Sequence, residues 1–236
     1  MRDTIILNIQ NDKLIFSINS NEKFEEKHFK LNKNLDLMGN IIEILNDKKL
    51  SELERKKLSL KDKQIFIIDK STISLKYRKD MAQILFELLD ISAFYIASQS
   101  ILALYDNNIT SGLVIDYFDD QLFAIPIFNE NIIKNAVSKI MLDEINKKNI
   151  TKKINSTVYK CKVNQQNEIK DNIVYSTSLP KELIENIDDF TGDIILGDPI
   201  IGAKKIIPLL NLHNCWVTKE KYKETGSYIV EKKCSN

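Results

Sequence analysis

The chain has 236 residues, enough to bury roughly 70% of its unfolded surface in one large domain or two small ones. Its 34 basic and 33 acidic residues leave a net charge of +1, which argues against an electrostatic binder of nucleic acid or of an anionic membrane. No apolar run approaches the ~20 residues of a membrane span, and no export-type apolar core follows Met1–Ile6. Three cysteines without metal-site spacing (Cys161, Cys215, Cys234) predict reduced thiols in an intracellular protein.

Thr4–Ile9 and Leu14–Ile18 are two apolar runs around Gln10-Asn11-Asp12-Lys13, which predicts a hairpin. Asn19–Lys33 is polar and charged and reads as a loop. Leu35–Leu45 has a helical apolar face through Leu35, Met38, Ile41, Ile42 and Leu45. Lys48–Lys63 is charge-dense, a solvated helix or loop, and Gln64–Asp69 has the pattern of a buried strand. From Met81, apolar residues fall at Ile84, Leu85, Leu88 and Leu89, the spacing of a core-facing helix. Ala93–Ala97 is a short strand. Ser98 then offers the N-cap of a helix carrying Ile101, Leu102 and Tyr105, stopped by Asp106-Asn107-Asn108. Gly112–Asp116 and Leu122–Phe128 form a hairpin across Tyr117–Gln121.

Asn131–Asn146 predicts an amphipathic helix, with Ile132, Ile133, Ala136, Val137, Ile140, Met141 and Ile145 on one side. Asn149–Ser178 is polar, and its two alternating runs (Ile154–Val163 and Ile169–Tyr175) suggest a ragged hairpin. Pro180–Ile187 reads as a short helix with proline near its start. Asp193–Leu196 is a strand running into Gly197-Asp198-Pro199, followed by a helical segment from Ile200 to about Ile207. Thr218 caps a short helix ending at Gly226, and Ile229–Cys234 is a basic tail. His28 and His213 are isolated, so no metal centre is expected. There is no Walker A, kinase signature or serine elbow.

The run MAQILFELLDISAFYIASQSILALY (Met81–Tyr105), then TSGLVIDYFDD (Thr110–Asp120) and AIPIF (Ala124–Phe128), resembles the middle of actin and the actin-related proteins. CWVTKEKYKETGSYIVEKKC (Cys215–Cys234) is similar to that family's closing segment. The blocks stand in the family's order and, with a weaker N-terminal match, cover roughly half the chain. The resemblance implies an α/β, actin-like ATPase (ribonuclease H-like) fold in reduced form, two α/β subdomains with the small subdomains largely lost. It implies a first subdomain over residues 1–110, a shortened second over 111–196, and a C-terminal segment, 197–236, that returns to the first.

The resemblance also bears on a nucleotide site. In the family, the first hairpin cradles phosphates in a glycine-rich turn that follows an aspartate and precedes a lysine. Here the aspartate position is Ile9, two glycines become Asn11 and Lys13, and the lysine is Phe16. Backbone amides wrap a phosphate closely only where side chains are absent and positive φ is cheap. Lys13 is then either a lone phosphate contact or a solvated turn lysine. The second phosphate loop keeps Asp116 and Asp119 but reads Tyr117-Phe118-Asp119-Asp120 without glycine, and Asp120 adds a carboxylate. Asp116 either holds hydrated Mg²⁺ through water, as its counterpart does, or is a strand-end aspartate that needs no metal. Gln99 falls on the glutamine that orients the attacking water. The histidine that works with it corresponds to Phe123, which leaves Gln99 vestigial.

Tyr105 and Thr110 match residues lining the family's hydrophobic cleft for partner helices, with Ile200, Ile201 and Trp216 contributing from the C-terminal side. Ordinary core packing is the other reading of these five. The resemblance thus implies a divergent actin-related protein and pseudo-ATPase, a non-catalytic structural subunit of a nuclear chromatin-remodelling or histone-acetyltransferase assembly. A cytoskeletal actin-like or dynactin-type role is the alternative, and an active ATP-binding ATPase the third. No cofactor is expected, with ATP and Mg²⁺ only if nucleotide binding is retained. The expected partners are other proteins: a helix of a large complex subunit, and actin or another actin-related protein. Direct nucleic-acid and membrane binding are not expected. The expected location is nuclear or cytoplasmic.

Overall fold

The computed structural model describes residues 4–10, 13–20, 23–32, 34–70, 74–141, 147–180, 182–184 and 194–234. The chain forms two compact units, Met1–Ala97 with Leu210–Ser235, and Ser98–Leu209 with Asn236.

The first unit begins with β1 (Thr4–Gln10) and β2 (Lys13–Ser20), antiparallel with Gln10 opposite Lys13, as the alternating apolar runs predict. The segment expected to be a loop, Asn19–Lys33, instead carries a third antiparallel strand, β3 (Lys23–Lys30). Its polarity misled because it is an edge strand, where charged side chains are tolerated and guard against mispairing. Phe29 packs edge-on against Phe16 at 5.5 Å, while Lys27 and Glu25 reach Glu54 (2.9 Å) and Lys57 (3.0 Å). Those partners sit on α2 (Glu52–Leu58), which starts with a reciprocal Ser51–Glu54 capping box and follows α1 (Leu37–Leu45), capped by Asp36. Strand β4 (Gln64–Asp69) is buried throughout and runs parallel to β1. Helix α3 (Leu75–Gln83) is capped by Ser74 and continues as a π-turn over Ile84–Leu88 before β5 (Ala93–Ser98). Phe16, Met38, Ile41, Ile65, Ile67, Met81, Leu85 and Phe94 share one core.

The second unit opens with α4 (Gln99–Asp106) and the hairpin of β6 (Gly112–Phe118) and β7 (Gln121–Phe128). Phe118 lies opposite Gln121, so the turn is the two residues Asp119 and Asp120, both left-handed at φ 52° and 55°. The helix expected over Asn131–Asn146 is not formed in the described part. Asn129 and Glu130 (φ 46° and 65°) reverse the chain into β8 (Asn131–Ile132), a 3₁₀ turn follows at Lys134–Ala136, and β9 (Ser138–Ile140) pairs with β7. β-branched Ile132 and Ile140 suit the two short strands, and pairing with β7 takes up the segment. Residues 142–146 lie outside the described residues.

The ragged hairpin expected within Asn149–Ser178 is also overturned. Helices α5 (Lys147–Tyr159) and α6 (Val163–Asp171) occupy it, followed by β10 (Ile173–Ser176). Ile150, Ile154, Val158 and Cys161 recur every three or four residues and are buried together, a helical period that the lysines between them mask. Strand β11 (Ile195–Gly197) is parallel to β10, which is parallel to β6, giving the sheet order β11-β10-β6-β7-β8, with β9 also on β7. Most of the predicted helix Pro180–Ile187 lies outside the described residues. Helix α7 (Pro199–Leu212) begins one residue before the segment expected and runs five beyond it. A Cβ at Gly202 would stand 2.0 Å from the Leu102 carbonyl oxygen, so α7 meets α4 backbone to backbone there.

The chain then returns to the first unit. Strand β12 (Val217–Thr218) is antiparallel to β5 and completes the order β12-β5-β4-β1-β2-β3. Helix α8 (Lys219–Thr225) is capped by Thr218 and ends at Gly226, φ 64°. The expected basic tail is a helix, α9 (Ile229–Lys233), because Ile229, Val230 and Cys234 face the core while the lysines do not. Arg78 of α3 is buried: its Nε–H donates to Asp69 (3.0 Å) and its Nη1–H to the Cys234 carbonyl. No helix among the described residues is long and apolar enough to cross a membrane.

Candidate functional site

The second unit brings Gln99 and Asp116 together. β5 delivers the chain to the start of α4, and Asp116 is the fifth residue of β6, which packs against α4. The Asp116 side chain is fully buried, and four donors converge on its carboxylate. Gln99 Nε2–H reaches Oδ1 at 2.8 Å, the Ser178 hydroxyl reaches the same oxygen at 2.7 Å, and the Tyr117 amide does so at 3.0 Å. The Ser100 hydroxyl donates to Oδ2. A hydroxyl has one proton, so Ser178 gives its own to Asp116 and accepts from Ser176, 2.9 Å away. Burial pushes the Asp116 carboxyl above its usual range, while the hydrogen bonds from Ser100, Ser178, Gln99 and the Tyr117 amide hold it down. Chemically, the group is a fixed acceptor. It ties the first turn of α4, β6 and the Ser176–Ser178 turn to one point.

Ser100, Ser176 and Ser178 were missed from sequence. The available signal was a cluster of hydroxyls at the ends of two apolar runs, Ser98–Ser100 and Ser176–Ser178, which must find partners when buried.

Asp119 is exposed in the β6–β7 turn with Asp120. Phe123, directly across the ladder from Asp116, stacks on Phe118 with ring centroids 4.3 Å apart. That stack puts carbon where the family resemblance would place a histidine. Lys13 belongs to the first unit and is exposed at the start of β2.

The proposed partner-cleft residues divide. Tyr105 is half-buried on α4, packed against a cluster that includes Leu104, Val114 and Ile127, and Thr110 is exposed. On α7, Ile200 is buried, whereas Ile201 is 44% exposed. Trp216, in the first unit, is buried against Phe66 and Tyr95, each at 6.4 Å, and its indole N–H has no partner among the described residues. No group of three or more potential metal ligands exists among the described residues.

Comparison with known proteins converges on one family. The chain is 29% identical over 119 residues to a putative actin-29 of Dictyostelium discoideum, an alignment covering 50% of this chain and 28% of that protein. The chain thus matches well under a third of that relative's length. The family model for actin matches residues 18–192, a span that includes β3 to β10 and the whole Asp116 cluster. With its two sheets and flanking helices, a mixed α/β arrangement consistent with a reduced actin-like fold, the chain belongs to the actin family.

Proposed function

We propose that this chain is a divergent actin-related protein acting as a non-catalytic structural subunit of a multiprotein assembly, most simply a nuclear chromatin-remodelling or histone-acetyltransferase complex. The observation that carries the reading is the closed shell around Asp116. The carboxylate that would orient a hydrated Mg²⁺ is wholly buried and accepts from four groups of its own chain. The turn that would approach phosphates puts two aspartates in left-handed positions, and two carboxylates facing a triphosphate repel it. These residues do not fit Mg–ATP, and no step of hydrolysis is assigned to them.

The nuclear branch is supported by the run Val230-Glu231-Lys232-Lys233-Cys234, which resembles a segment of such actin-related proteins. The cytoskeletal alternative is favoured by the relative named an actin. Isothermal titration of the full chain with Mg–ATP tests the first point: no measurable binding is expected, and micromolar or tighter affinity overturns the reading. Co-purification with nuclear or with cytoskeletal subunits separates the two branches.

A further inference from the structure

The chain is almost neutral overall, yet its charge is unevenly placed. From Lys147 to Asn167 there are six lysines (147, 148, 152, 153, 160, 162) and no acidic residue. This stretch is α5 and the start of α6. The inner face of α5 is spent on the core through Ile150, Ile154 and Val158, so the outer face is what solvent or a partner meets. On that face Thr151, Lys152, Asn155, Ser156 and Tyr159 line an open concavity of about 630 Å³. Tyr159 is 74% exposed, and Val163, four residues on, is 84% exposed. Lys152, Lys160 and Lys162 are exposed, and none of the three has a carboxylate partner among the described residues, although Lys160 Nζ donates to the Ser138 hydroxyl at 2.9 Å.

We propose that the outer face of α5 with Val163 is a docking surface for an acidic, amphipathic segment of another protein. Charge complementarity sets the sign of the partner, since three exposed lysines want carboxylates or phosphates. The apolar centre decides between them. An exposed tyrosine and an exposed aliphatic valine, with Lys160 and Lys162 between them in sequence, have the make-up of an interface anchor with a charged rim. Val163 gains nothing from a stacked base, and neutralising three phosphates gives a polyanion only weak, salt-limited affinity. An anionic membrane is disfavoured because the apolar face of α5 is already buried and cannot enter lipid. The inference is independent of the reading of Asp116, which lies outside this surface.

Fluorescence anisotropy on the full chain tests it. The probes are a labelled helical peptide with glutamates flanking a leucine–tryptophan stripe, polyglutamate, and a single-stranded RNA. The peptide is expected to bind most tightly and to weaken with added salt. Lys152→Glu with Lys160→Glu, and separately Tyr159→Ala, should each weaken it about tenfold. All three positions are exposed, and an unchanged melt confirms that each variant folds. Equal binding of the peptide by wild type and variants overturns the proposal. So does tighter binding of RNA, or polyglutamate binding as tightly as the peptide.

Discussion

Two buried aspartates, one in each unit, are held in opposite ways. Asp69 at the end of β4 faces a cation, the Arg78 guanidinium, with side chains only 1% and 6% exposed. Asp116 within β6 faces no cation, only an amide, a carboxamide and two hydroxyls. Both carboxyls are raised by burial, Asp69 to about 6 even with Arg78 beside it. The difference teaches what each residue is for. A charge pair is brittle, since removing either member strands the other, whereas a ring of neutral donors distributes the same task over several weak bonds. In the first unit the pair also fixes the C-terminal return, because Arg78 holds the Cys234 carbonyl as well.

The strongest test of this contrast is Asp69→Ala. It leaves a buried guanidinium without a counter-charge and is expected to cost about 3–5 kcal/mol in urea unfolding, with much of the loss recovered when Arg78→Met is added. A loss below ~1 kcal/mol would mean the pair is not buried as described.

Next comes pH. The folded Asp69 carboxyl titrates near 6, above the unfolded reference of 3.8, so the folded state holds the extra proton between those values. The contribution of this group to stability therefore rises as pH falls through 6 toward 4. Glu54, lowered by Lys27 and Ser51, pulls the other way, so the readout is the wild-type curve minus that of Asp69→Asn. A flat difference between pH 7 and pH 4 would remove Asp69 from the account.

A smaller effect is expected for Asp116→Asn, which keeps one acceptor oxygen and loses part of the donor set. Its cost should be ~1–3 kcal/mol, with Ser178→Ala near 1. If Asp116→Asn instead matches the Asp69→Ala loss, the supposed resilience of neutral donors is wrong. Smallest is Asp120→Gly, which relieves a left-handed residue but adds freedom to the unfolded chain. A net gain of about 0.5 kcal/mol in the melt is expected. A destabilised variant would show that the Asp120 side chain, within 3.4 Å of the Tyr117 hydroxyl, matters more than its backbone.

Legibility from sequence followed the burial of the element. β1, β2, β4, β5 and the β6–β7 hairpin are apolar in strand rhythm and were readable, as was α4 behind Ser98. β3 was not, because an edge strand stabilised by Lys27–Glu54 and Lys57–Glu25 looks like a loop in composition. Residues 131–141 carry a helical apolar period that loses to pairing with β7, a tertiary choice no local pattern announces. At the site, Gln99 and Asp116 were found together through the family resemblance. The serines that close the shell show in sequence only as hydroxyls clustered at the ends of two apolar runs, since a hydroxyl's role depends on which strand ends lie beside it.

The interrupted composition of the first unit has a consequence for its synthesis. Val217, Ile229, Val230 and Cys234 belong to the same core as Ile5 and Phe16, yet the whole second unit is translated between them. At ~5–20 residues per second the N-terminal sheet waits on the order of ten seconds for its last strand and covering helix. Through that interval the edge of β5 that will pair with β12 is unpaired and the core beneath α9 is open. The nascent chain is thus expected to need protection on the ribosome until Cys234 emerges, and the second unit, contiguous in sequence, to settle first.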